Sequence, residues 1–173
     1  NFQNKLFVGI KYGVDGKHVA MSIATKVDEK IFVESIDCQS VRNGNTWIIS
    51  FLKEADIEKV VIDGSGSQQI LSDEIKDYGI KLKPVLPKVS DVVVANNMFE
   101  QAVTSSKNIC HNDQPSLKQI VTNCKRRAIG TNGGFGFKAM MEEHEIALLD
   151  SVILAHWACA TYKGVKKKQK ISC

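Results

Sequence analysis

The sequence predicts a single α/β domain built on a mixed sheet. Three features point to it: three apolar runs joined by tight turns at the start, a later switch to helical periodicity interleaved with short apolar strands, and a long apolar helix near the end. At 173 residues, 43% of them hydrophobic, the chain can bury one substantial core.

Residues 5–14 (KLFVGIKYGV) read as a first strand and residues 18–25 (HVAMSIAT) as a returning second one. Asp15-Gly16 between two apolar runs favours a hairpin. Asp28-Glu29-Lys30 makes the next turn and residues 31–41 a third strand, which completes an antiparallel meander. The period then changes. Trp47, Ile48, Phe51 and Leu52 form an amphipathic helical stripe within residues 45–55. Residues 59–63 (KVVID) form a short buried strand, followed by the Gly64-Ser65-Gly66-Ser67 turn and a helix over 68–78 that Gly79 stops. Residues 80–85 are expected as another strand, with Pro84 and Pro87 at its exit, and 89–105 as a helix carrying Val93, Met98 and Val103. Residues 119–129 and 135–141 flank Gly130-Thr131-Asn132-Gly133-Gly134 and predict a β-hairpin. Residues 142–162 predict a long helix. The domain is expected to span 1–165, with a basic tail at 166–173.

No run of about 18 apolar residues occurs, so no helix is expected to span a membrane. The five cysteines, Cys38, Cys110, Cys124, Cys159 and Cys173, contain no C-x-x-C pair. That argues against a zinc or thioredoxin-like site and for reduced thiols in a cytoplasmic protein. The formal charge of +4 includes two local basic runs, Lys125-Arg126-Arg127 and Lys166-Lys167-Lys168 with Lys170. Such runs suit phosphates or a solvated face. The chain opens Asn1-Phe2-Gln3-Asn4 with no initiator methionine and is read as an excised fragment or a processed chain.

Two acids occupy unusual places. Asp63 ends the most apolar strand and precedes a Gly-Ser turn. Ligands gather at the carboxyl ends of central strands in open α/β sheets, although an Asp there can equally cap the next helix. Asp150 lies four residues after Ile146, three before Ile153 and seven before Trp157, which puts its carboxylate on an apolar stripe of the last helix. A carboxylate there calls for a metal, a cation or hydrogen-bond donors. Two acids facing one sheet would suit Mg²⁺ or Mn²⁺, hard ions that prefer oxygen ligands. His144 and His156, each six residues from Asp150, fall about 120° off its face and are expected to be surface or core histidines.

The element order resembles the RNase H-like fold: a five-stranded mixed sheet, three antiparallel plus two parallel strands, flanked by helices, here with an added hairpin before the last helix. More specifically, LFVGIKYGVDGKHVAMSIA, KVVIDGSGSQQILSDEIKDYGIKLKPV, ICHNDQPSLKQIVTNCKRRA and EIALLDSVILAHWACA resemble the nuclease domain of tailed-phage terminase large subunits, over most of residues 5–162. The resemblance implies a metal-dependent endonuclease that cuts concatemeric DNA with little sequence specificity, using two Mg²⁺ or Mn²⁺ ions. Its acids fall on the first strand, at the end of the fourth strand and on the last helix. Asp63 matches the second and Asp150 the third. At the first, where Gly-Ile-Asp-Tyr-Gly is expected, the chain reads Gly9-Ile10-Lys11-Tyr12-Gly13. An ammonium repels a cation, so the two-ion site is expected to be impaired, with Lys11 reaching between Asp63 and Asp150 in the metal's place. Asp15 is a poor substitute ligand because its role is the turn.

The resemblance further implies double-stranded DNA, the terminase ATPase domain, the portal and the small terminase subunit as partners. Its site of action would be the cytoplasm of an infected bacterium, at the procapsid portal. Lys125, Arg126, Arg127 and Lys138 on the expected hairpin are candidate DNA contacts, because basic side chains position a backbone without reading bases. His111 is a further candidate contact. The turn at 64–67 could offer N–H groups to a phosphate, but the chain has no G-x-x-x-x-G-K-[ST] loop and so no expected ATP site. Two other readings share the fold: another RNase H-like nuclease, and a docking module for portal or DNA that has lost its chemistry.

Overall fold

The meander forms where the turns place it. In the computed structural model, which describes residues 5–106, 109–111 and 142–163, β1 (Leu6–Tyr12) pairs antiparallel with β2 (His18–Val27) and β2 with β3 (Lys30–Ser40). Asp15 closes the first turn, its Oδ1 accepting the Lys17 N–H at 2.9 Å. A 3₁₀ turn (Val41–Asn43) leads into α1 (Thr46–Glu54), followed by β4 (Ile57–Asp63) and α2 (Ser67–Asp77). Strand β4 lies parallel to β1 on its free side. Three antiparallel strands with a parallel fourth beside the first is the arrangement expected of the RNase H-like fold. Helix α3 (Val89–Gln101) runs into a π-helical turn (Ala102–Ser106), then β5 (Ile109–His111) and α4 (Glu143–Ala160).

The fifth strand is not where the sequence suggested. Residues 80–85 make one parallel bridge, Val85 to Val61, held by Ile62 N–H to Val85 O and Val85 N–H to Val60 O, both 2.9 Å. Val85 turns both its N–H and its C=O toward β4, the next donor on that side would be residue 87, and Pro87 has no N–H, so the ladder cannot extend past Val85. The fifth strand is instead β5, parallel to β3, and the sheet order is β4-β1-β2-β3-β5. The expected helix at 89–105 is α-helical only to Gln101 and then widens. The expected hairpin at 119–141 and the tail at 166–173 lie outside the described residues.

Each face of the sheet carries its own core. On one, Leu6, Val8, Ile10 and Tyr12 of β1 pack with Ile48, Leu52, Leu71 and Ile75 of α1 and α2. On the other, Phe7 and Val61 join Phe99 of α3 and Leu149, Val152 and Ile153 of α4. Helix α4 lies tight on β1 because position 9 is glycine. A Cβ there would strike Ser151 O and lie 2.5 Å from Ala155 N.

Candidate functional site

Lys11 and Asp63 are register partners on the adjacent parallel strands β1 and β4, at the carboxyl end of each. Lys11 Nζ donates to Asp63 Oδ2 at 2.8 Å, and the two side chains are 14% and 20% exposed. Asp63 therefore does not cap α2, whose N-cap is Gly66 with no side-chain bond. The two residues open onto a cleft of about 240 Å³ walled by Tyr12, Gly13, Gly64, Ser65 and Ser67.

The strand's alternation aims this lysine. Gly9, Lys11 and Gly13 occupy one face of β1. Gly9 meets Ser151 and Ala155, and a Cβ on Gly13 would lie 4.0 Å from Ala147 Cβ. The α4 turn from 147 to 151, which carries Asp150, therefore crosses β1 at the level of Lys11. A 2.6 Å hydrogen bond between the buried Ser22 and Ser151 hydroxyls fixes that crossing against β2.

Asp150 is half-buried rather than buried, as are Ile146 and Trp157 on its stripe. The helix is apolar almost all round, and its buried residues include Ala147, Ser151, Leu154, Ala155 and Ala158 as well as Leu149, Val152 and Ile153. On the stripe picked out by spacing, Ile153 is buried while Ile146, Asp150 and Trp157 are half-buried. His156 is buried, packs edge-on against Phe99 with ring centroids 5.6 Å apart, and is pushed down to a pKa of about 4 by burial. His144 is exposed, as expected, 6.1 Å from the His18 ring.

Three other features were not legible beforehand. Tyr12 OH donates to Asn45 Oδ1 at 2.9 Å, and Asn45 Nδ2 donates to Glu74 Oε1 at 2.6 Å, tying β1 to both helices of that face. Burial first, then the charge of Glu74, pushes the Tyr12 phenol above its ordinary range. Gly64, at φ 146°, lies so close that a Cβ would sit 2.5 Å from Tyr12 Cβ. In the turn at 64–67, Gly64 O, Ser65 O and Gly66 O accept the N–H groups of residues 67–70, so of the turn's own N–H groups that of Ser67 is already used within the chain. His111 lies in β5. Lys125, Arg126, Arg127 and Lys138 lie outside the described residues.

The described residues do not fit a two-ion metal site. Among the described residues no group of three or more His, Cys, Asp or Glu side chains is placed to hold a metal. Asp63 is instead bonded to an ammonium.

The chain is similar to solved terminase structures. One is the large terminase of a thermophilic bacteriophage, with TM-score 0.48 and 16% identity, covering 70% of this chain and 32% of that one. Another is the large terminase nuclease domain of bacteriophage SPP1 with bound Mn, with TM-score 0.46, 12% identity and coverage of 80% and 88%. A third is the human cytomegalovirus terminase nuclease domain, with TM-score 0.49, 9% identity and coverage of 94% and 86%. This chain spans about a third of the thermophilic phage protein, 32%. No protein-family model and no curated protein matches the sequence.

Proposed function

We propose that this chain is the nuclease-fold module of a viral DNA-packaging terminase, and that Lys11 closes its active site. The observation that carries the reading is the Lys11–Asp63 ion pair at the carboxyl ends of β1 and β4. Strand ends of this kind are where open α/β sheets place their chemistry. The motif resemblance puts an acid where Lys11 stands, in a site whose chemistry would be cleavage of concatemeric duplex DNA.

On this reading Lys11 performs the electrostatic part of a missing cation's work. Its ammonium neutralises Asp63, and with three donors it can serve a second carboxylate. Asp150, on the α4 turn that crosses Lys11, is the acid proposed to complete the site. A lysine so placed relieves carboxylate repulsion while excluding a divalent ion. The ATPase domain, the portal and the small subunit are the proposed partners, and the cytoplasm of the infected cell the proposed location. Lys125, Arg126, Arg127 and Lys138 are the proposed DNA contacts.

The test is supercoiled-plasmid cleavage with Mn²⁺. The native chain is expected to leave the plasmid intact, Lys11→Asp to nick it, and Lys11→Asp with Asp63→Ala to lose that gain. A folded, Mn²⁺-binding Lys11→Asp variant that never cuts would sink the reading. The same ion pair also favours a second reading, a docking module without chemistry. Portal binding by a Lys11→Asp variant that stays inert would select it.

A further inference from the structure

The segment between α2 and α3 does not build a strand, and what it carries is charge. Residues 76–88 hold Lys76, Lys81, Lys83 and Lys88 against one acid, Asp77. All four lysines are exposed, while Ile80, Leu82 and Leu86 pack against the core shared with α1 and α2. The apolar side chains clamp the segment and leave the ammonium groups in solvent. Among the described residues no ion pair neutralises these four.

The Val85–Val61 bridge sets the segment's course, parallel to β4. Lys83 precedes the bridge by two residues and Lys88 follows it by three, whereas Asp63 follows it by two on β4. The lysines therefore run along the free edge of β4 toward the end where Lys11 meets Asp63. At the far end Lys53 Nζ lies 5.9 Å from the centroid of the exposed Tyr78 ring, beside a cleft lined by Leu52, Ile80 and Lys81.

We infer that this edge is a track for the phosphate backbone of double-stranded DNA. Lys81 and Lys83 are alternate residues leading into the Val85 bridge, a spacing of about 7 Å where the backbone is extended, close to the step between neighbouring phosphates on one strand. Lysine meets phosphate as a point charge, which positions a duplex without reading its sequence. The identity of the occupant rests on the packaging reading above; the surface rests on charge and direction. Lysines on a sheet edge also discourage edge-to-edge association, and the test separates the two roles.

The triple variant Lys81→Gln, Lys83→Gln, Lys88→Gln and the native chain are titrated with a labelled duplex in EDTA across a salt series. The track predicts roughly a tenfold or greater loss of affinity at low salt and a log–log salt slope shallower by about 2 to 3. The triple variant stays in its native oligomeric state, and a Lys17→Gln, Lys30→Gln control binds as the native chain does. Unchanged affinity and slope, self-association as the main effect, or no duplex binding by the native chain would each overturn it. The titration involves neither metal nor cleavage. A Lys11→Asp variant that cuts plasmid beside a triple variant that binds normally would remove the track and leave the nuclease reading standing. The opposite pair of results would do the reverse.

Discussion

On one face of β1, Leu6, Val8, Ile10 and Tyr12 pack with α1 and α2; on the other, Phe7 is followed by Gly9, Lys11 and Gly13 where α4 crosses. One strand thus builds two unlike surfaces from alternate residues. The α1/α2 face fills its space with aliphatic side chains and closes with the Tyr12–Asn45–Glu74 chain. The α4 face gives up side-chain volume at Gly9, where a helix backbone occupies the space, and beside it Lys11 reaches Asp63. The difference separates a face packed side chain against side chain from one where a helix backbone lies directly on the strand beside an ion pair.

The comparison breaks most sharply at Gly9. Gly9→Ala drives a Cβ into the backbone of α4 at Ser151 and Ala155, which cannot move aside as a flexible side chain could. A loss of about 3 kcal/mol or more is expected by urea denaturation.

His156 tests the α4 face by pH. Its folded pKa, about 4, is lower than its ordinary 6.5, so the fold accepts the neutral ring. That contribution is complete above about pH 6.5 and is lost as pH falls toward 4, a change of about 3 kcal/mol. Urea midpoints followed from pH 7 to pH 4 should fall more steeply for the native chain than for His156→Leu. Parallel curves would show that the ring is protonated without penalty.

Tyr12→Phe probes the packed face and should do least. It removes one 2.9 Å hydrogen bond and leaves Asn45 with Glu74, so about 1 kcal/mol is expected in the same assay.

The two faces were also unequally legible in the sequence. Short apolar runs bounded by turn residues placed β1 to β4 to within a few residues, and α1 and α2 followed from the contrast between a polar and an apolar side. Helix α4 lacks that contrast: it is apolar almost all round, so spacing grouped Asp150 with the buried Ile153 although the fold leaves Asp150 itself half-buried. Residues 80–85 have the apolar content of a strand, but they meet β4 at Val85 alone, and Pro87 removes the next donor on that side. The Lys11–Asp63 contact was foreseeable through motif resemblance, since register partners on parallel strands need two positions in sequence, not one pattern. Gly9's contact with α4 left no local signal, because a glycine inside a strand reads first as a weakness.

The central claim is that an ammonium does a cation's electrostatic work beside Asp63. Thermal melts of the native chain and of Lys11→Asp, each with EDTA and with Mn²⁺, test it most directly. The account predicts a native Tm indifferent to Mn²⁺, and a variant whose Tm is lower in EDTA and rises when the ion is added. A native chain that Mn²⁺ stabilises, with a variant that it leaves unmoved, would contradict it.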